Sequence, residues 1–170
     1  MIKENYYGQT IKELIEFFNI EFKGVLHVGA HKCEELEIYN NYITPDKIVW
    51  IEANPTLVKE NLKSYPNLKI FSEVVGEEDG KEVNFNITNN TLSSSTLDFK
   101  EHSKLHPHVK IVDKFKTYTK TLNTIFEENN LNFNNYNFLV LDIQGVELSA
   151  LKGLKNNLSH FNAIFTEINE

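Results

Sequence analysis

The sequence contains no arginine, so its 17 lysines carry all of the basic charge that histidine does not. Against them stand 24 aspartates and glutamates, for a formal net charge of -7. Nucleic-acid binding leans on a positive surface and on bidentate arginine contacts. Neither is available, which sets nucleic acid aside as a substrate. The lone cysteine, Cys33, excludes an intrachain disulfide and suits a reducing compartment. No apolar run approaches the ~18 residues that a membrane span needs. The N-terminal MIKENYYGQT holds no apolar stretch of the secretory-signal kind. The expectation is a cytoplasmic protein that does not engage a membrane.

The 170 residues suffice for one sizeable core but not two, so a single domain over 1–170 is expected. Thr10 to Phe22 opens with a capping-box pair, Thr10 and Glu13, and sets Ile11, Leu14, Ile15 and Phe18 on one helical face. GVLHVGA (Gly24–Ala30) is a short apolar run ending in glycine and alanine, as in a buried parallel strand. Glu34 to Tyr42 fits a helix stopped before Pro45. Lys47–Pro55 is a second strand, with Asn54-Pro55 as N-cap and N1 proline of a helix reaching about Tyr65. Asn67 to Val75 makes a third strand, closed by the turn-rich GEEDG.

Beyond that point Glu82 to Thr88 alternates Val83, Phe85 and Ile87, as an exposed strand would. Asn89 to Ser95 is a polar loop, and the stretch to Tyr118 is the least legible. A short helix is expected over Leu122–Asn129, a buried strand over Asn137–Gly145, a helix over Glu147–Leu158 and a last strand over Asn162–Glu170. Alternating strands and helices point to an α/β, doubly wound, mostly parallel sheet flanked by helices.

Ligands of such sheets bind outside the carboxyl ends of the strands, where the strand order reverses. Those ends carry Gly29-Ala30-His31, Glu52-Ala53-Asn54, Glu73-Val74-Val75, Asp142-Ile143-Gln144 and Thr166-Glu167. Gly29 permits a tight turn and close approach to a ligand. Glu52 follows it by a little over twenty positions, near the ~20-residue offset of a carboxylate that binds ribose hydroxyls. That carboxylate suits any adenosine cofactor. The glycine pattern chooses among them: a dinucleotide site wants G-x-G-x-x-G, and here His31 and Glu34 occupy the second and third glycine positions. Glu34 and Glu35 would also repel a pyrophosphate. S-adenosylmethionine carries a sulfonium and an ammonium and no phosphate, so it is the better cofactor.

HVGAHKCEE, IVWIEANP, VVGEEDG, LSSSTL and LDIQGVELSALKGL occur in the order and spacing of FkbM-type methyltransferases, which the chain resembles from Gly24 to its end. The resemblance implies a class I methyltransferase fold and methyl transfer from S-adenosylmethionine to a hydroxyl of a sugar or glycosylated acceptor. It also implies roles. Gly29, Ala30 and His31 would form the cofactor loop, Glu52 would hold the ribose, and Ala53 and Asn54 would lie beside the adenosine. Val74 would flank the adenine, while Asp142 and Gln144 would sit near the methionine part and the acceptor. Ser94 and Ser95 would belong to a loop over the substrate. Asp142, with Glu167 as second candidate, would accept or orient the hydroxyl proton. Three departures stand out: Cys33 in place of a loop glycine, Asn123 where an aspartate is usual, and an end at Glu170 before the family's C-terminal antiparallel hairpin. The last implies a truncated domain, or an open edge through which the chain oligomerises.

Plainer roles compete for several of these residues. Asp142 also suits a cap for the following turn, and Glu147 a first-turn acid serving the helix dipole. His27 reads as packed against a helix, and Cys33 as structural. His102, His106 and His108 surround Pro107 and read as loop residues, so no metal site is expected. A non-catalytic binding module with this fold is the alternative function, and a nicotinamide oxidoreductase the third.

Overall fold

The computed structural model of the protein describes residues 10–88 and 111–166. Helix α1 (Ile11–Phe18) starts at the expected capping box: Thr10 Oγ1 accepts from Glu13 N, and the Glu13 carboxylate accepts from Thr10 N at 2.7 Å. It stops at Asn19, which turns left-handed (φ 48°), well short of Phe22. Then follow β1 (Val25–Val28), α2 (Leu36–Tyr39), β2 (Ile48–Glu52) and α3 (Pro55–Ser64). Next come β3 (Ile70–Ser72), β4 (Val74–Val75), β5 (Glu82–Thr88) and β6 (Ile111–Lys120). The remaining elements are α4 (Leu122–Glu128), β7 (Phe138–Leu141), α5 (Glu147–Leu154) and β8 (Ala163–Thr166).

Five of the strands form one parallel sheet in the order β3-β2-β1-β7-β8. The chain therefore builds outwards from β1 through β2 to β3, then returns to the other side of β1 for β7 and β8. The order reverses between β1 and β7, and this is where a ligand crevice opens in such folds. Among the described residues β8 is the far edge. A groove of about 580 Å³ runs beside it, lined in part by Leu14, Phe18, Ile164 and Phe165. Phe18 lies on this surface rather than in the core, 54% exposed.

Because side chains alternate across a strand, each central strand feeds two cores. Leu26, Val28, Val49, Ile51, Leu139 and Leu141 meet α4 and α5 on one face. Val25, Ile48, Trp50, Phe138 and Val140 meet α1, α2 and α3 on the other. Two buried faces explain why these strands read as continuous apolar runs. Ile15 of α1 is 1% exposed; burial of such a side chain contributes about 1.5–3 kcal/mol. Below the sheet, Asn137 ties the segment after α1 to β7. Its Nδ2 donates to Glu21 O at 2.7 Å and its Oδ1 accepts from Lys23 N at 2.8 Å.

The third expected strand divides in two. After β3 the chain leaves the main sheet, and β4 pairs with β6, which also pairs antiparallel with β5. Lys120 fixes the bend, its ammonium 2.9 Å from Glu73 and 2.7 Å from Glu128. Strand β6 was illegible because IVDKFKTYTK is polar and largely exposed, with Thr119 alone of its residues buried. The helix expected over Glu147–Leu158 closes at Leu154 and continues as a 3-10 turn over Lys155–His160. At Gly153 an added Cβ would lie 2.5 Å from Gly76 O, so α5 abuts the chain leaving β4. Among the described residues no helix is long and apolar enough to cross a membrane.

Candidate functional site

The ends of β1, β2 and β7 converge at the strand-order reversal. Gly29 leaves β1 at φ 91°, and a Cβ there would stand 1.8 Å from Asp142 O. The close approach that demands glycine is thus to the backbone at the end of β7. Gly29 N and Ala30 N both donate to Ile51 O, at 2.9 and 3.0 Å, which turns the loop over the end of β2. His31 (φ 43°) and Cys33 (φ 56°) are also left-handed. Position 33 therefore asks for the glycine that the family resemblance leads one to expect. Cysteine accepts the strained backbone and buries its thiol, which burial first, then Glu34, Glu35 and Glu52, pushes up to about 12. Such a thiol is inert, as expected of a structural cysteine.

Glu52 terminates β2 as a carboxylate that is only 8% exposed. Its Oε2 accepts from His31 N at 2.8 Å and its Oε1 from Asn54 N at 2.7 Å. Burial raises its pKa, and the main-chain donors of Asn54, His31 and Ala53 pull the other way by favouring the ionised form. A carboxylate offers about four lone-pair sites, more than these main-chain donors occupy, so capacity remains for a further donor. Asn54 is the N-cap of α3, accepting from Thr56 N at 3.0 Å, with Pro55 following as the sequence implied. Ala53 links the two. Glu52 thus fastens the loop after β1 to the start of α3.

Two turns along that helix, Asn61 Nδ2 donates to His31 O at 2.7 Å. Sequence reasoning passed over Asn61. Its signal was a polar residue in helical register with Leu57 and Val58, both buried. The His31 ring meets Glu34 through Nδ1, 2.7 Å from Oε1.

At the end of β7, Asp142 is exposed and its Oδ1 accepts from Gln144 Nε2 at 2.9 Å. The turn before α5 is held instead by the buried Glu147, whose Oε1 accepts from Ile143 N and Gly145 N, both at 3.0 Å. That leaves the Asp142 carboxylate directed to Gln144 and solvent. Glu35 lies close enough that the charges of Glu34 and Asp142 add to burial in raising its pKa. The loop ends thus gather negative charge. Val74 is buried in β4, paired with Thr119. Beyond it a cavity of about 650 Å³ lies between Val75–Glu78, Thr119 and the first turns of α5, with Lys81, Ser149 and Lys152 on its wall.

His27 packs as expected. Its Nδ1 lies 3.0 Å from Tyr39 Oη, its ring stacks on Trp50 at 4.7 Å, and burial lowers its pKa to about 3. Asn123 is also structural. Its Nδ2 donates to Gly153 O and Leu154 O at 3.1 and 3.3 Å, and its Oδ1 accepts from Asn157. An aspartate has no donor to make those two bonds. Ser94, Ser95, Glu167 and the three histidines around Pro107 lie outside the described residues. Among the described residues no group of three His, Cys, Asp or Glu side chains is arranged to hold a metal ion.

Neither the curated proteins nor the solved structures give a match to this sequence. The model of the methyltransferase FkbM domain matches residues 27–170, from the middle of β1 through every element of the candidate site. The chain belongs to the FkbM methyltransferase-domain family.

Proposed function

We propose that this chain is an S-adenosylmethionine-dependent O-methyltransferase whose acceptor is a hydroxyl of a sugar or glycan. The observation that carries the reading is Glu52, a buried acceptor at the end of β2 that retains hydrogen-bonding capacity beside the strand-order reversal. The donor set fits a cationic cofactor. Glu34, Glu35, Glu52 and Asp142 surround the loop after β1, and the chain has no arginine to hold a pyrophosphate.

When bound, S-adenosylmethionine supplies an electrophilic methyl group. Glu52 would accept from the ribose hydroxyls, with Asn54 and Val74 on the adenosine side and Gly29, Ala30 and His31 forming the loop. Asp142 and Gln144 would face the methionine part and the acceptor. The Asp142 carboxylate, which the turn amides leave unused, would accept or orient the acceptor's hydroxyl proton, with Glu167 the second candidate for that role. Ser94 and Ser95 would contact the acceptor. Bringing hydroxyl and methyl into line supplies much of the acceleration in such displacements. A cytoplasmic site of action belongs to the same proposal.

The test is methyl transfer from labelled S-adenosylmethionine to a panel of free sugars, glycosides and oligosaccharides, comparing the wild type with Asp142→Asn. Label on a sugar hydroxyl, lost or strongly reduced in the variant, is expected. Cofactor binding with no transfer to any member would favour the binding-module alternative.

A further inference from the structure

We infer that Asn61 is a positioning residue for the cofactor loop, holding His31 from the far side while Glu52 holds it from the near side. The inference rests on the cofactor reading proposed above and adds a residue to it. The loop after β1 puts Gly29, His31 and Cys33 in the left-handed region within five residues, and two of the three carry side chains that disfavour it. Such a conformation persists only where the surroundings over-determine it.

Besides the Glu34 carboxylate on its ring, His31 is held by two side chains on its main chain. Its N–H donates to Glu52 Oε2 at 2.8 Å, and its carbonyl accepts from Asn61 Nδ2 at 2.7 Å. Asn61 is 4% exposed and shares the inward face of α3 with Leu57 and Val58. If packing were the whole requirement, an apolar residue would serve there without the cost of burying an amide. What the amide adds is a bond to one loop carbonyl, next to the carboxylate that the reading assigns to ribose. Helix α3 is therefore attached to the loop twice, through Glu52 at its cap and through Asn61 near its end. Losing the second attachment removes the restraint on the His31 carbonyl and leaves the His31–Lys32 peptide to the bond from Lys32 N to the exposed Glu34 Oε2 at 3.0 Å, so the loop presents a less defined shape to a ligand.

Asn137 provides a matched comparison. It too is a buried asparagine whose Nδ2 donates to a loop carbonyl, Glu21 O at 2.7 Å, but at the opposite end of the sheet. The experiment is calorimetric titration of the whole chain with S-adenosylhomocysteine for the wild type, Asn61→Ala and Asn137→Ala, with thermal midpoints recorded for each. Both variants are expected to melt earlier. Only Asn61→Ala is expected to weaken binding, by at least about tenfold, while Asn137→Ala stays within about twofold of wild type.

Equal weakening in the two variants, or unchanged affinity in Asn61→Ala, overturns the inference. Should Asn61→Ala not fold, the wild type itself decides by nuclear magnetic resonance. The Asn61 side-chain amide signals are expected to shift and exchange more slowly on saturation, those of Asn137 to stay put. An unmoved Asn61 signal overturns the inference. A wild type that binds no S-adenosylhomocysteine overturns the cofactor reading as well, and that failure appears before any variant is compared.

Discussion

His27 gives the structure a sensitivity to acid whose size can be worked out in advance. The imidazole is 3% exposed, stacked on Trp50, with Nδ1 against Tyr39 Oη. Glu35 stands 4.0 Å from Nε2, not close enough to offset the burial that lowers the pKa from 6.5 to about 3. A folded-state pKa below the unfolded one means that the unfolded chain takes up a proton first. Stability is therefore intact above about pH 6.5 and is lost as pH falls towards 3, by about 1.4 kcal/mol per unit within that window. Between pH 7 and pH 5 the loss from this one residue is about 2 kcal/mol. Glu35 and Glu52, raised by burial, act in the opposite sense, so the wild-type curve alone does not isolate the effect. Urea unfolding at pH 7 and pH 5 of the wild type and His27→Gln does. The wild type should lose about 2 kcal/mol more than the variant over that interval. Equal losses would refute the assignment of His27 as a neutral, buried core residue.

Three further outcomes follow from the same geometry. Gly29→Ala places a methyl 1.8 Å from Asp142 O at φ 91° and should cost more than about 3 kcal/mol in urea unfolding; a cost below about 1 kcal/mol would contradict the contact between the ends of β1 and β7. Asn123→Asp removes the donors to Gly153 O and Leu154 O, and a loss of about 1–3 kcal/mol is expected by thermal melting. A variant as stable as wild type would contradict the structural role of those bonds. Cys33, buried and with its thiol pushed up to about 12, should react with a disulfide reagent at pH 8 only as fast as the chain unfolds. Rapid modification of the native protein would mean that the loop opens.

The sheet was legible because its central strands are buried on both faces and read as apolar runs. Their ends were legible because glycine and carboxylates interrupt those runs at Gly29, Glu52 and Asp142. The cap at Asn54-Pro55 and the capping box at Thr10 were likewise local signals, and both formed. Strand β6 was not legible, since its pairing with β5 depends on partners distant in sequence and on a surface that places no demand on side-chain polarity. The division of labour at the end of β7 was also hidden. By type Asp142 suited a cap and Glu147 a first-turn acid, and only the fold shows the Glu147 carboxylate bonded to Ile143 N and Gly145 N. Asn61 was missed for the same reason: its partner is thirty residues away.

Whether the loop after β1 and Glu52 hold S-adenosylmethionine is decided by calorimetric titration of this chain with S-adenosylhomocysteine, with NADH as the competing cofactor and Glu52→Ala as the variant. Saturable binding of S-adenosylhomocysteine, none of NADH, and loss of binding in Glu52→Ala are expected. Binding of NADH in preference, or S-adenosylhomocysteine affinity untouched by Glu52→Ala, would contradict that cofactor assignment.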